Sequence, residues 1–153
     1  MSIFHSLNSS SSALTAQRLR MDVISSNMAN VDSTRAKQVD GEWQPYRRKT
    51  VTLQPKDGQF SSFLQVAKGV HSHGNAGNGV VVSHVKEDRE TPFKLVFDPT
   101  HPDANEEGYV EMPNIDPLRE MIDLMSATRS YEANVTALNA NKSMLMKALE
   151  IGR

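Results

Sequence analysis

The sequence predicts an α+β chain. Long N- and C-terminal heptad helices, forming an antiparallel coiled-coil-like pair, flank a small β-rich middle segment. Three observations carry that prediction. All 7 prolines lie between Pro45 and Pro117, and 7 of the 8 glycines between Gly41 and Gly108, so helix breakers are missing from both ends until Gly152. Apolar residues recur every seven positions at both ends. The middle holds short runs of β-branched and aromatic residues separated by glycine, asparagine and proline. The expected parts are an N-terminal helix over 1–31, a β-rich segment over 32–116 with a flexible loop at 69–79, and a C-terminal helix over 117–153.

In the N-terminal part, Leu7, Leu14, Met21 and Met28 are spaced by seven, with Ile3, Ser10, Gln17, Ile24 and Val31 as the companion row. Such a repeat is the seam of a helix that pairs with others. The tract Ser9–Ser12 weakens the helix locally, because serine hydroxyls compete for backbone groups. In the C-terminal part, Leu124, Tyr131, Leu138 and Leu145 form one row, and Met121, Thr128, Val135, Lys142 and Leu149 the second. Asp116 is placed to cap the helix, Pro117 suits its first position, and Glu120 favours the positive end of its dipole. The two helices would be rods of roughly 40 and 50 Å. Isolated helices are marginal in water, so the ends are expected to order on assembly.

Four strand candidates fall in the middle: Tyr46–Leu53, Phe60–Val66, Gly79–Val85 and Phe93–Phe97. The basic cluster Tyr46-Arg47-Arg48-Lys49 reads as a surface strand with charged edge residues rather than a nucleic-acid patch.

Composition excludes several function classes. Among 153 residues, Lys+Arg total 17 and Asp+Glu 18, a net charge of −1, which is no footprint for a general nucleic-acid binder. There is no cysteine, hence no disulfide, thiolate metal site or cysteine nucleophile. No apolar run reaches the roughly 20 residues that span a bilayer, and residues 1–8 carry no cleaved secretory signal. His71 and His73, with His84 further on, lie at or beside a glycine-rich loop too flexible for a preorganised metal site. Asp103–Gly108 imitates a calcium loop but reaches Asn114 where a bidentate glutamate is needed, so it reads as a solvated acidic turn. The wider stretch 86–116 holds three basic and nine acidic residues and marks an exposed face or one that meets a basic partner. Gly74, Gly77 and Gly79 reverse the dinucleotide fingerprint, and neither a phosphate-cradling lysine motif nor a nucleophile elbow occurs. No catalytic, metal or cofactor-binding residue is assigned, and no cofactor is expected.

What stands out is two terminal helices whose apolar seams need partners. The assembly interface is assigned to Leu7, Leu14, Met21, Ile24, Met28, Val31, Met121, Leu124, Tyr131, Val135, Leu138, Leu145 and Leu149. The polar positions Gln17, Thr128, Lys142, Asn134, Asn139 and Asn141 would set register rather than add stability. The alternative on the same evidence is a soluble homodimeric coiled-coil binding or regulatory module.

The stretch Ala13–Val31, with Ser26-Asn27-Met28-Ala29-Asn30 followed by Thr34, resembles the N-terminal signature of the bacterial flagellar rod and hook proteins. Ser130-Tyr131-Glu132-Ala133-Asn134 resembles the second signature of that family. Asp98–Ala104, Gly108-Tyr109-Val110, Pro113-Asn114 and the terminus Leu145–Gly152 are similar to the short proximal-rod members, since hook and distal-rod proteins carry larger inserts. The motif residues are Ser26, Asn27, Ala29, Asn30, Ser130, Tyr131, Glu132, Ala133 and Asn134. The resemblance implies a non-enzymatic structural subunit of the flagellar basal body, exported by the flagellar type III apparatus. It implies polymerisation with copies of itself and other rod proteins into a rod that crosses the periplasm or cell wall and carries torque to the hook. It implies no nucleic-acid partner and no membrane span.

Overall fold

The computed structural model describes residues 3–39, 41–56 and 79–152. The candidate strand Phe60–Val66, His71, His73 and all of the 69–79 loop except Gly79 lie outside the described residues. In chain order the elements are α1 (Ile3–Ala29), β1 (Lys37–Val39), β2 (Glu42–Gln44), β3 (Lys49–Pro55), β4 (Val80–Glu87), β5 (Lys94–Phe97), β6 (Tyr109–Met112) and α2 (Pro117–Ile151). Among the described residues two helices thus flank, in chain order, three two-stranded sheets, β1–β2, β3–β4 and β5–β6. The α+β expectation is met.

The chain divides into two compact units. One comprises Met1–Leu19, Thr52–His84 and Ala127–Arg153; the other comprises Arg20–Val51 and Val85–Ser126.

In the first unit a serine holds the start of β4. Ser12 Oγ donates to the Ser9 carbonyl at 2.7 Å and accepts from the Val80 N–H at 3.0 Å. Gly79, buried and at φ +95°, lies so close that an added Cβ would meet Ser12 Oγ at 2.2 Å. The serine tract is therefore helical, and its small side chains are what let another backbone approach. β3 and β4 are further linked by the Lys56 N–H to Gly79 carbonyl bond (2.9 Å) and the Thr52 Oγ1–His84 Nε2 contact (3.3 Å). Ala16 and Ala127 are buried here.

The second unit carries both short hairpins. β1 pairs with β2 through Lys37↔Gln44, Gln38↔Trp43 and Val39↔Glu42, and Gly41 at φ +91° lies in the turn. β5 pairs with β6 from Lys94↔Met112 to Phe97↔Tyr109, with the last two rings in edge contact at 5.3 Å. The apolar core of the unit is small: among the described residues Ile24, Val110 and Ile115 are buried, as are Pro45 and Pro113. α2 starts where the Asp116–Pro117 signal places it. Asp116 Oδ1 accepts from the Leu118 N–H at 3.1 Å, and its carbonyl accepts from the Glu120 N–H at 3.0 Å.

Candidate assembly site

The distinctive chemistry of the second unit is a polar junction built on four side chains, Asn27, Arg48, Asn114 and Glu120. Asn27, near the end of α1, is 1% exposed. Its Nδ2 donates to the Lys49 carbonyl at 2.9 Å and to Glu120 Oε2 at 3.0 Å. Its Oδ1 accepts from the Lys49 N–H at 3.0 Å and from the Tyr46 hydroxyl at 3.3 Å. Both donors and both acceptor positions of the amide are thereby used. The side chain meets Lys49 as a neighbouring strand would, so α1 ends by pairing with the first residue of β3.

Glu120, in the first turn of α2, is 0% exposed. Besides Asn27, it accepts from Arg48 Nε at 2.6 Å. Arg48 also reaches Asp123 at 3.6 Å, and Asp123 takes Arg20 of α1 at 3.2 Å. Asn114 repeats the Asn27 device one residue away. Its Oδ1 accepts from the Arg48 N–H at 2.8 Å, while its Nδ2 donates to the carbonyls of Asp88 and Thr91 at 3.0 and 3.1 Å. A buried charge is tolerated only when paired and hydrogen-bonded, and both partners of this pair meet that condition.

Two sequence expectations are corrected here. Glu120 does more than favour a helix dipole: it is the buried anion that joins α1, β3 and α2. The Tyr46–Lys49 cluster is only in part a surface strand with charged edge residues, since Lys49 alone lies in β3. Residues 46–48 precede β3, and the Arg48 side chain is only 14% exposed.

The N-terminal motif acquires a role residue by residue. Asn30 Nδ2 donates to the Ser26 carbonyl at 2.8 Å and its Oδ1 accepts from Ser33 Oγ at 3.1 Å, which closes the helix end. Ser26 Oγ lies 3.4 Å from the Tyr46 hydroxyl. Thr34 Oγ1 donates to Asp103 Oδ2 at 2.7 Å, and Arg35 Nε donates to Asp103 Oδ1 at 2.6 Å. The hydrogen bond from Arg35, then that from Thr34, hold the Asp103 carboxyl below the usual carboxylate range. The acidic turn is thus not merely solvated, because its first residue fastens the segment after α1. Ala29 is exposed and makes no such contact.

The second signature is plainer. Asn134 Nδ2 returns to the Ser130 carbonyl within α2 at 2.8 Å. Ser130, Tyr131 and Asn134 are half-buried, whereas Glu132 and Ala133 are exposed.

The assigned interface residues divide. Ile24 is buried; Leu7, Leu14, Met21, Met28, Val31, Leu124, Tyr131, Val135, Leu138 and Leu145 are half-buried; Met121 and Leu149 are exposed at 50% and 75%. The covered side of α2 runs through Leu124, Tyr131, Leu138 and Leu145, as the spacing indicates. Of the expected second row Thr128 and Val135 are half-buried and Met121, Lys142 and Leu149 are exposed, while Glu120, Ala127, Asn134 and Asn141 form a covered companion row. A polar row of that kind is invisible to a search for apolar repeats.

Among the described residues no group of three His, Asp or Glu side chains could hold a metal ion. No helix among them is long and apolar enough to cross a membrane. What the second unit builds is a polar junction between the end of α1, the start of β3 and the start of α2.

The comparisons with known proteins agree. Residues 7–37 match the family model described as flagella basal body rod protein, and residues 106–151 match that of the flagellar basal body rod FlgEFG protein C-terminal region. The chain is 67% identical over 153 residues to the flagellar basal-body rod protein FlgC of Bacillus subtilis (strain 168), covering 100% of both chains. It is 43% identical to the protein of that name from Borreliella burgdorferi, over 99% of this chain and 98% of the relative. With the FlgC protein of Escherichia coli O6:H1 the identity is 42% over all of both chains. The chain belongs to the flagellar basal-body rod protein family. That family consists of structural components of the motility apparatus, so the chain is a rod structural protein and not an enzyme.

Proposed function

We propose that this chain polymerises through its terminal helices, with copies of itself and with other rod proteins, into the proximal part of the flagellar rod. The rod crosses the periplasm or cell wall and transmits torque from the motor to the hook. The subunit leaves the cytosol through the flagellar type III export apparatus.

The observation that carries this reading is how much apolar helix surface the single chain leaves uncovered. On α2, Leu118, Met121, Ile122 and Met125 form one face at helical spacing, and all are at least half exposed. Toward its end Met144, Met146, Leu149 and Ile151 are more than half exposed. A lone chain does not keep so much apolar surface in water without reason. To this uncovered surface, which includes Met121 and Leu149, the proposed interface adds the half-buried Leu7, Leu14, Met21, Met28 and Val31 of α1, the half-buried Leu124, Tyr131, Val135, Leu138 and Leu145 of α2, and the buried Ile24. The links Arg20–Asp123 and Asn27–Glu120 run in opposite order along the two helices, which supports an antiparallel, coiled-coil-like pairing. Methionines at the uncovered positions suit an interface that must fit slightly different neighbours.

Leu138→Asp tests the reading, because it puts an unpaired charge into the seam. Export into the medium should persist, while the chain disappears from purified hook–basal bodies by mass spectrometry and motility is lost. Normal motile flagella containing the variant would refute the seam.

A further inference from the structure

We propose that a cation-lined groove beside the β1–β2 hairpin receives the acidic tip of the β5–β6 hairpin from a second copy of this chain. This rests on the self-assembly reading and gives it a specific contact.

The groove lies within the second unit. Its walls include Lys37 of β1, Arg47 just before β3, Lys49 of β3 and Arg89 just after β4, with Tyr46 between them. Glu87 is the carboxylate in this wall, and it pairs with Arg89 at 3.3 Å. Among the described residues Lys37, Arg47 and Lys49 make no ion pair. Arg47 instead lies over the Phe93 ring at 4.3 Å, and Lys49 Nζ lies 5.3 Å from the Tyr46 ring centroid. Four cations against one carboxylate in a concave, partly aromatic wall concentrate positive potential, which an incoming anionic group would relieve.

The chain carries a group of the right sign and rigidity. Glu106 and Glu107 are exposed and, among the described residues, make no ion pair. They sit on a turn held by its own hydrogen bonds. Asn105 Oδ1 accepts from the N–H groups of Glu107 (3.0 Å) and Tyr109 (2.8 Å), and the Gly108 N–H donates to the Asn105 carbonyl at 2.9 Å. Gly108, at φ +83°, packs where a Cβ would meet the Phe97 ring at 3.0 Å. Such a tip loses little freedom on docking. The tip belongs to another copy because residues 98–108 of the same chain form no part of the groove wall. Groove and tip are different patches of one unit. The contact is therefore heterologous and repeats from copy to copy, as a polymer requires.

The absence of native cysteine makes the test clean. Lys37→Cys and Glu107→Cys are combined in one chain and oxidised within purified hook–basal bodies. The expected result is covalent dimers and larger species of this chain on a non-reducing gel, absent from either single variant. In parallel, Lys37→Glu with Arg47→Glu, or Glu106→Lys with Glu107→Lys, should each lower the amount of chain in basal bodies about tenfold. Combining the reversals should bring it back to within about threefold of wild type. The inference is overturned if the chain is present in the particles but the cysteines join only within one molecule or to a different protein. It is overturned equally if the combined reversal does no better than its halves. Absence of the wild-type chain from the particles would overturn the rod reading itself.

Discussion

Glu120→Leu is the sharpest test of the polar junction. The side chain is 0% exposed and holds Arg48 Nε at 2.6 Å and Asn27 Nδ2 at 3.0 Å. Removing one partner of a buried ion pair costs about 3–5 kcal/mol, because the other charge is left uncompensated. Here the lower end applies. Arg48 keeps 14% exposure and a second carboxylate, Asp123, at 3.6 Å, so the loss is about 3 kcal/mol. With a urea dependence of about 2 kcal/mol per molar, the unfolding midpoint of the purified chain should fall by about 1–2 M. Far-UV circular dichroism reads it, since the junction joins both helices. Arg48→Met adds a second arm. If the pair is the cause, Glu120→Leu with Arg48→Met will be less destabilised than the sum of the two single changes, by about 1–3 kcal/mol. Additive effects, or a midpoint unmoved by Glu120→Leu, would refute the junction as the element that ties α1, β3 and α2.

Three further outcomes follow from the same geometry. Gly41→Ala meets no atom within 4 Å and suffers only its φ of +91°, about 1 kcal/mol. Gly79→Ala adds the clash with Ser12 Oγ at 2.2 Å and should cost at least about twice as much by urea unfolding; equal losses would mean that the Ser12 contact is not formed. Asp103, Asp98 and Asp88 all have lowered carboxyl pKa values, through Arg35, the Thr100 hydroxyl and the Thr91 N–H respectively. Groups so depressed add stability above the ordinary carboxylate range and lose it as pH falls through their folded values. Acid unfolding should therefore set in below about pH 4, and Asp103→Asn should flatten the pH dependence; an unchanged slope would argue against the Arg35 latch. Hydrogen exchange on the dilute chain should protect 20–29 and 117–126, where the junction's side chains sit, over 3–19 and 127–151. Uniform protection of both helices would contradict ordering of the outer stretches on assembly.

How much of this was legible depended on whether a signal was local. The helices were, because proline and glycine are confined to the middle and Asp116-Pro117 is a cap within two residues. β3, β4 and β5 were, since the expected runs Tyr46–Leu53, Gly79–Val85 and Phe93–Phe97 overlap them, though the first begins three residues too early. β1 and β2 were not: three residues each, Lys37–Val39 and Glu42–Gln44, are too short for alternation to register. The junction was hidden for a different reason. Asn27, Arg48, Asn114 and Glu120 come from four separate places in the chain, and each taken alone resembles an ordinary surface residue. A search for apolar repeats passes over Glu120, Asn134 and Asn141, although they share the covered row with Ala127. Only the motif resemblance singled out Asn27, and it did so without a reason. The physical reason is that much of the apolar surface of α2, at Leu118, Met121, Ile122, Met125, Met144, Met146, Leu149 and Ile151, stays uncovered in the single chain. Its own helix ends must then be fixed by something else, and directional hydrogen bonds to Lys49 and Glu120 fix them with little apolar surface spent.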